Sequence, residues 1–175
     1  MEELDRKTGL INWQRFWINH PIKQYVRNHN LLWSNLRLAD YDYKKVYKYV
    51  DKQLDFQPTD QVLDVGCGTG EFLPFVKCKR VMGIDASETM TEIARLRHPE
   101  FTFMQGYAHC LPFTDDTFDK IICNGVIQYI EPDLFNDSIQ EMLRVLKVGG
   151  KLFIGDILEK TTPDTQVYVY PKEMW

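Results

Sequence analysis

The stretch Val62-Leu63-Asp64-Val65-Gly66-Cys67-Gly68-Thr69-Gly70 decides the fold. Gln61 to Val65 is short and mostly apolar and reads as a buried strand, and three alternating glycines follow it. Glycine tolerates backbone dihedrals that other residues avoid and lets a ligand approach the main chain closely. Amides at the start of a following helix can hold an anion such as a carboxylate or phosphate. The G-x-G-x-G spacing departs from the dinucleotide fingerprint, which needs glycine at position 71, where Glu71 stands. That carboxylate would also repel a pyrophosphate. No Lys-Ser or Lys-Thr follows the glycines, which excludes a P-loop. Taken alone such a loop is weak evidence, because a structural turn uses the same glycines.

The surroundings supply the context. Further strands are expected at Arg80 to Asp85, Phe101 to Gln105, Phe118 to Asn124 and Lys151 to Ile157. Ser87 is placed to cap a helix running to about Arg97, with Met90, Ile93 and Ala94 turned inward. Pro132 and Asp133 open a helix to about Lys147, with Leu134, Phe135, Ile139, Met142, Leu143 and Leu146 as its buried stripe and Gly149-Gly150 as its stop. Between Gly70 and Lys79 there is room for about two helical turns at most. Upstream, Tyr43, Val46, Tyr47, Val50 and Leu54 share one face of a helix over 43–54, and residues 10–38 read as short helices broken at Pro21. The division expected is an N-terminal helical segment, 1–57, packed on a core, 58–175. Alternating strands and helices imply right-handed crossovers and a parallel sheet. Ligands then bind beyond the carboxyl ends of the strands, at 64–70, 85–87, 105–109 and 124–129.

Two carboxylates fall there. Asp85 ends the second strand, about 20 residues after Gly66. It can accept hydrogen bonds from ribose hydroxyls, or it can cap the next helix. Asp64 lies in an otherwise apolar strand end, where a carboxylate is costly unless paired. A ligand ammonium or the loop amides would serve as partner.

Composition bounds the class. The chain has 175 residues, 25 acidic against 21 basic, and a net charge of −4, which argues against a nucleic-acid partner. No apolar run approaches the ~18 residues of a membrane span. The acidic Met1-Glu2-Glu3-Leu4-Asp5 lacks the apolar region of a signal peptide, so a cytoplasmic protein is expected. Cys67, Cys78, Cys110 and Cys123 form no C-x-x-C pair, which points to reduced thiols and no metal site.

In their order and spacing, VLDVGCGTG (62–70), VMGIDASETM (81–90), MQGYAHCLPFTDDTFDKIICNGVIQYI (104–130) and EMLRVLKVGGKLFIGD (141–156) resemble class I S-adenosylmethionine-dependent methyltransferases, close to their small-molecule, ubiquinone-biosynthesis-like branch. The resemblance implies a Rossmann-like α/β fold: a mainly parallel sheet of about five strands, flanked by helices and covered by an N-terminal helical lid. It implies that Gly66, Cys67, Gly68 and Gly70 line the methionine and ribose part of the cofactor. Asp85 would bind the ribose, with Ala86 and Met90 beside the adenine. Tyr107 and Ala108 would flank the base from the far side, the Ala108 amide near a ring nitrogen. Asn124, Gly125 and Val126 would lie near the sulfonium, and Gln128 and Tyr129 toward the acceptor, with Tyr41 and Tyr43 of the lid covering it.

Two departures stand out. The family's usual Gly-Asp-Ala is Gly106-Tyr107-Ala108 here, so Tyr107 would stack on the base, accept through its hydroxyl, or serve as packing alone. Family members also continue past strand five into an antiparallel hairpin of strands six and seven. Here Tyr168 to Trp175 reads as the approach to another helix, so the hairpin is expected to be missing from a C-terminally truncated chain. Strand five would then be an exposed edge, open to a homodimer or another partner.

The reaction implied is in-line displacement of the S-adenosylmethionine methyl by a small-molecule acceptor, leaving S-adenosylhomocysteine. Positioning and desolvation would supply most of the catalysis. No side chain stands out as a base: His20, His29, His98, His109 and Glu131 each have a structural or surface reading. The alternative is a cofactor-binding module that is inactive or needs a partner; a nicotinamide oxidoreductase is more distant.

Overall fold

The computed structural model describes residues 43–157 and 166–171. Helix α1 spans Tyr43–Leu54. Strand β1 is Gln61–Val65, followed by a short 3-10 turn at Leu73–Phe75 and strand β2 at Arg80–Asp85. Helix α2 is Glu88–Arg97, and β3 is Thr102–Gln105. Strand β4 is Phe118–Asn124, helix α3 is Pro132–Val145, β5 is Leu146–Ile157 and β6 is Gln166–Pro171. The six strands form one sheet in the order β3-β2-β1-β4-β5-β6. β1 to β5 run parallel, and β6 runs antiparallel to β5.

Side-chain alternation along the strands splits the core between two faces. On one face Val62, Val81, Ile122 and Phe153 pack with Tyr47, Val50 and Leu54 of α1 and Ala94 of α2. On the other, Leu63, Ile84, Ile121, Cys123, Leu152 and Ile154 meet Met142, Leu143 and Val145 of α3. The helices form where the reading above places them for the reasons given. Tyr47, Val50 and Leu54 recur at helical spacing and are buried. Ser87 Oγ accepts from the Met90 amide at 3.4 Å, capping α2, and Met90, Ile93 and Ala94 are buried.

The sheet is pinned at its amino-terminal side by one carboxylate. Asp119 accepts from the Gln61 amide at 2.8 Å and from Lys147 Nζ at 2.9 Å through both oxygens, tying the starts of β1, β4 and β5 together.

Several expectations are corrected. Helix α3 ends at Val145, short of Lys147, and Leu146 is already extended. The amides of Asp116 and Thr117 donate to the carbonyls of Arg144 and Val145 at 3.0 and 2.8 Å, so the loop before β4 takes the last-turn acceptors and stops the helix early. Gly149, with φ 79°, lies inside β5 and does not end the helix. Phe135 is 40% exposed, whereas Ser138 is buried, with its hydroxyl donating to the Leu134 carbonyl at 2.8 Å. Residues 166–171 form a strand, not the approach to a helix, and β6 covers β5 from Lys151↔Pro171 to Ile157↔Gln166. The exposed strand-five edge is therefore overturned, and so is the expectation that every strand beyond the fifth is missing. The helices read at 10–38 lie outside the described residues.

Leu152 has no exposed surface in the middle of β5, whereas Val148 in the same strand is 78% exposed. Urea denaturation should find Leu152→Ala destabilised by about 2–5 kcal/mol and Val148→Ala within about 0.5 kcal/mol of the parent.

Candidate functional site

β1 lies between β2 and β4, and the chain leaves β3 at one edge to return on the far side of β1. That reversal is a topological switch point, where a crevice opens at the carboxyl ends of the strands. The segments following β1, β2, β3 and β4 bring Asp64, Gly66, Cys67, Gly68 and Gly70, then Asp85 and Ala86, then Tyr107 and Ala108, and finally Asn124, Gly125, Val126, Gln128 and Tyr129 to this one edge.

The glycine loop begins as a continuation of the ladder. The Gly66 and Cys67 amides both donate to the Ile84 carbonyl, at 2.7 and 3.1 Å. Gly66 has φ 74°, and a Cβ there would lie 2.2 Å from Cγ2 of Val126. The loop after β4 thus rests directly on the loop after β1. Gly68 differs: φ is 53°, and among the described residues nothing lies within 4 Å of the place a Cβ would occupy, so its backbone is uncovered by them at the carboxyl edge of the sheet. The loop's far side is held by Glu71, which accepts from Thr69 Oγ1 at 3.2 Å and pairs with Arg97 at the end of α2.

Asp85 joins two segments. Its Oδ2 accepts from the Gly68 amide at 2.8 Å and its Oδ1 from the Ser87 amide at 2.9 Å. Burial raises the Asp85 carboxyl above its ordinary value, and these two amides counter the rise. The helix-side reading of Asp85 is therefore realised, together with a tie to the glycine loop. Asp64 is buried on the α1 face and accepts no hydrogen bond among the described residues. The loop amides that would have been its structural partners go to Ile84 instead. Burial, with repulsion from Asp85, pushes the Asp64 carboxyl up to about 8. Burial foremost, then Asp85 and Asp64, also drives the Cys67 thiol well up, so it is held as a neutral packing group.

The remaining residues have definite places. The Ala86 carbonyl accepts from Gln105 Nε2 at 3.2 Å, linking the ends of β2 and β3. Met90 is buried beside Ile93 on α2. Tyr107 is 37% exposed, its ring 5.4 Å from that of His109, in a turn closed by the Cys110 amide on the Tyr107 carbonyl at 3.1 Å. The Ala108 amide has no acceptor among the described residues. The Gly125 amide donates to Gly155 at 2.9 Å, and Asn124 Oδ1 lies against Gly155. Gln128 and Tyr129 form a 3-10 turn, and Gln128 Oε1 is buried with no partner among the described residues. Tyr43 opens α1, and Tyr41 lies outside the described residues, as do His20 and His29. His98 Nε2 is buried behind Gly70.

Sequence reasoning missed two supports. Gly83 leaves room for Cys67: a Cβ there would sit 2.6 Å from Sγ. Its signal was a glycine inside an apolar strand. Glu141 and Arg144 bind the loop that follows Tyr107, and their signal was an opposite-charge pair at i, i+3 on α3.

The methyltransferase-domain family matches this chain over residues 62–150. A demethylmenaquinone methyltransferase of Symbiobacterium thermophilum is 30% identical over 146 residues, 74% of this chain and 57% of the relative. A Mus musculus protein named probable tRNA methyltransferase 9B is 39% identical over 101 residues, 57% of this chain and 22% of its own length. Among solved structures, a SAM-dependent methyltransferase of Thermotoga maritima superposes with a TM-score of 0.61 at 27% identity, covering 80% of this chain and 61% of that one. The chain spans about half the length of the demethylmenaquinone methyltransferases it matches. Among the described residues no helix is long and apolar enough to cross a membrane.

The Asp64 carboxyl gives a test that needs no ligand. Between the ordinary value of 3.8 and about 8, the native state keeps a proton that the unfolded chain has released. Stability therefore falls as pH rises through that window and levels off above it. Asp64→Asn should flatten this decline in denaturation curves taken across the window and be more stable than the parent at its upper end. Equal slopes would refute the assignment.

Proposed function

Because the chain belongs to the methyltransferase-domain family, we propose that it binds S-adenosylmethionine at the carboxyl ends of β1 to β4 and transfers its methyl group to a small-molecule acceptor. The observation that carries this reading is the join between Asp85 and the Gly68 amide, beside the open face of Gly68. The residues present fit the cofactor. Each Asp85 oxygen uses one acceptor site on an amide and has lone pairs left for a ribose hydroxyl. Asp64 lacks a hydrogen-bond donor among the described residues, which suits a ligand ammonium at the strand end. The Ala108 amide is available to an adenine ring nitrogen, and the half-exposed Tyr107 ring is available to the base.

Bound there, S-adenosylmethionine supplies a methyl group on a sulfonium, which leaves readily as a thioether. The chain's own work is then to hold and to dry. Val126, packed on Gly66, sets the distance between the glycine loop and the acceptor side. Gln128 Oε1, buried and without a partner among the described residues, offers an acceptor for an N–H or O–H of the incoming molecule. Tyr129, in the same 3-10 turn, is proposed to line the acceptor side; the expected lid residue Tyr41 and the Tyr43 side chain lie outside what the structure describes. A small molecule is favoured over a nucleic acid by the net charge of −4. The family alone does not choose, since the relatives named above bear both a quinone-precursor and a tRNA name.

Calorimetric titration with S-adenosylmethionine and S-adenosylhomocysteine tests the reading, which fails if the folded chain binds neither. Asp85→Ala should weaken both by about 1.5–3 kcal/mol, the worth of hydrogen bonds to a charged group. An unchanged affinity would remove Asp85 from the ribose site.

A further inference from the structure

The turn at 107–110 joins β3 to a segment with no regular structure, 111–117, which must cross the sheet to reach β4. The turn is closed by the Cys110 amide on the Tyr107 carbonyl, with Ala108 packed on the core and Leu111 buried in it. Its two ends are fixed from outside. At the near end the Gly106 amide donates to the Asp85 carbonyl at 2.9 Å. At the far end the last turn of α3 reaches over with a single fork. Arg144 Nη2 donates to the Leu111 carbonyl at 3.0 Å, and Nη1 donates to the Phe113 carbonyl and to Asp115 Oδ1, both at 2.8 Å. Glu141 holds that guanidinium on its other edge, from Nε to Oε1 at 2.6 Å and from Nη2 to Oε2 at 2.8 Å. The same Glu141 Oε2 accepts from the Leu111 amide at 2.8 Å, so both backbone polar groups of Leu111 are held by this one ion pair. The Asp116 and Thr117 amides then close onto the carbonyls of Arg144 and Val145.

We propose that the Glu141–Arg144 pair is the positioning device for base recognition: through Leu111 it sets where the Tyr107–Cys110 turn, and with it the Ala108 amide, meets the adenine. This rests on the S-adenosylmethionine reading above and adds to it a pair of residues that touches no part of the cofactor. The chemistry requires the fork. Planar guanidinium places several donors in fixed directions, whereas an ammonium is a point charge that cannot satisfy two carbonyls and a carboxylate in one plane. The consequence is specific to the base. An amide N–H facing a ring nitrogen favours adenine, whose nitrogen there accepts, over hypoxanthine, whose corresponding nitrogen carries a proton. A turn free to shift loses that preference, while the ribose contacts of Asp85 keep theirs.

The test measures binding of S-adenosylhomocysteine and of S-inosylhomocysteine to the parent, Arg144→Lys, Glu141→Gln and Asp85→Ala by calorimetry, with thermal unfolding of each as the control for folding. The expected result is a fall of about tenfold in S-adenosylhomocysteine affinity for Arg144→Lys, with the adenine preference shrinking toward unity. Asp85→Ala should weaken both ligands alike and leave the ratio standing. Glu141→Gln keeps an acceptor for Leu111 and should shrink the ratio less, so it serves where Arg144→Lys does not fold. Folded variants at both positions with an unchanged ratio, whether affinity is retained or lost equally for both ligands, would overturn the inference. A parent chain that binds neither ligand would instead overturn the cofactor reading on which it stands.

Discussion

The carboxylate of Asp85 is the constraint on which the site depends. One oxygen takes the Gly68 amide and the other takes the Ser87 amide, so a single side chain fixes both the glycine loop and the entry to α2. Everything on the binding edge is referred to that point. The loop cannot lift away without breaking a charge-assisted bond, and α2 cannot shift without disturbing its Ser87 cap. The β3 turn is tied to the same residue through the Asp85 carbonyl and Gly106. Asp85 thus bonds the amide of the residue that caps α2, and with the same carboxylate it holds the glycine loop.

Asp64 is the opposite case. It stands on β1, two positions before the loop, and has Asp85 near it with no hydrogen-bond donor among the described residues. A buried carboxyl in that setting stays protonated in neutral solution and weakens the fold as pH rises. Such a residue is hard to account for as packing, since an asparagine or a leucine would cost the fold less. It becomes intelligible if a cation completes it. The Cys67 and Cys123 thiols are held neutral, foremost by burial and then by Asp64, with Asp85 acting on Cys67 as well.

Much of this was legible in the sequence, and for identifiable reasons. The bounds of α1, β1, β2 and β4 follow from local periodicity and turn residues, because those elements end where their own side chains stop repeating. The early end of α3 was not legible, because Asp116 and Thr117, some thirty residues upstream, take its last carbonyls. Nor was the fate of the loop amides: proximity suggested Asp64 as their acceptor, and the parallel ladder gave them to Ile84. β6 is a different failure. Gln166-Val167-Tyr168-Val169-Tyr170 is rich in strand-forming residues, but an expectation about where the chain ought to turn outweighed the pattern. The candidate cofactor residues were brought to one edge because topology alone dictates it once the strands are in order.

The two halves of the candidate site are fixed by different physics. The loop after β1 is set by backbone pairing and by Val126 filling the space over Gly66, both inseparable from the sheet. The turn after β3 has only its near end in the ladder, and its far end is held by the Glu141–Arg144 side chains on the Leu111 backbone together with the burial of the Leu111 side chain. A substitution in the first half therefore disturbs the fold before it disturbs recognition. One in the second can move the 107–110 turn while leaving the sheet intact. Variation in such a fold should concentrate where a side chain, not a strand, holds the backbone. Asp115, three-quarters exposed at the tip of the fork, is the least constrained member of that network. By this argument the clamp is the adjustable part of the site and the glycine loop the invariant one.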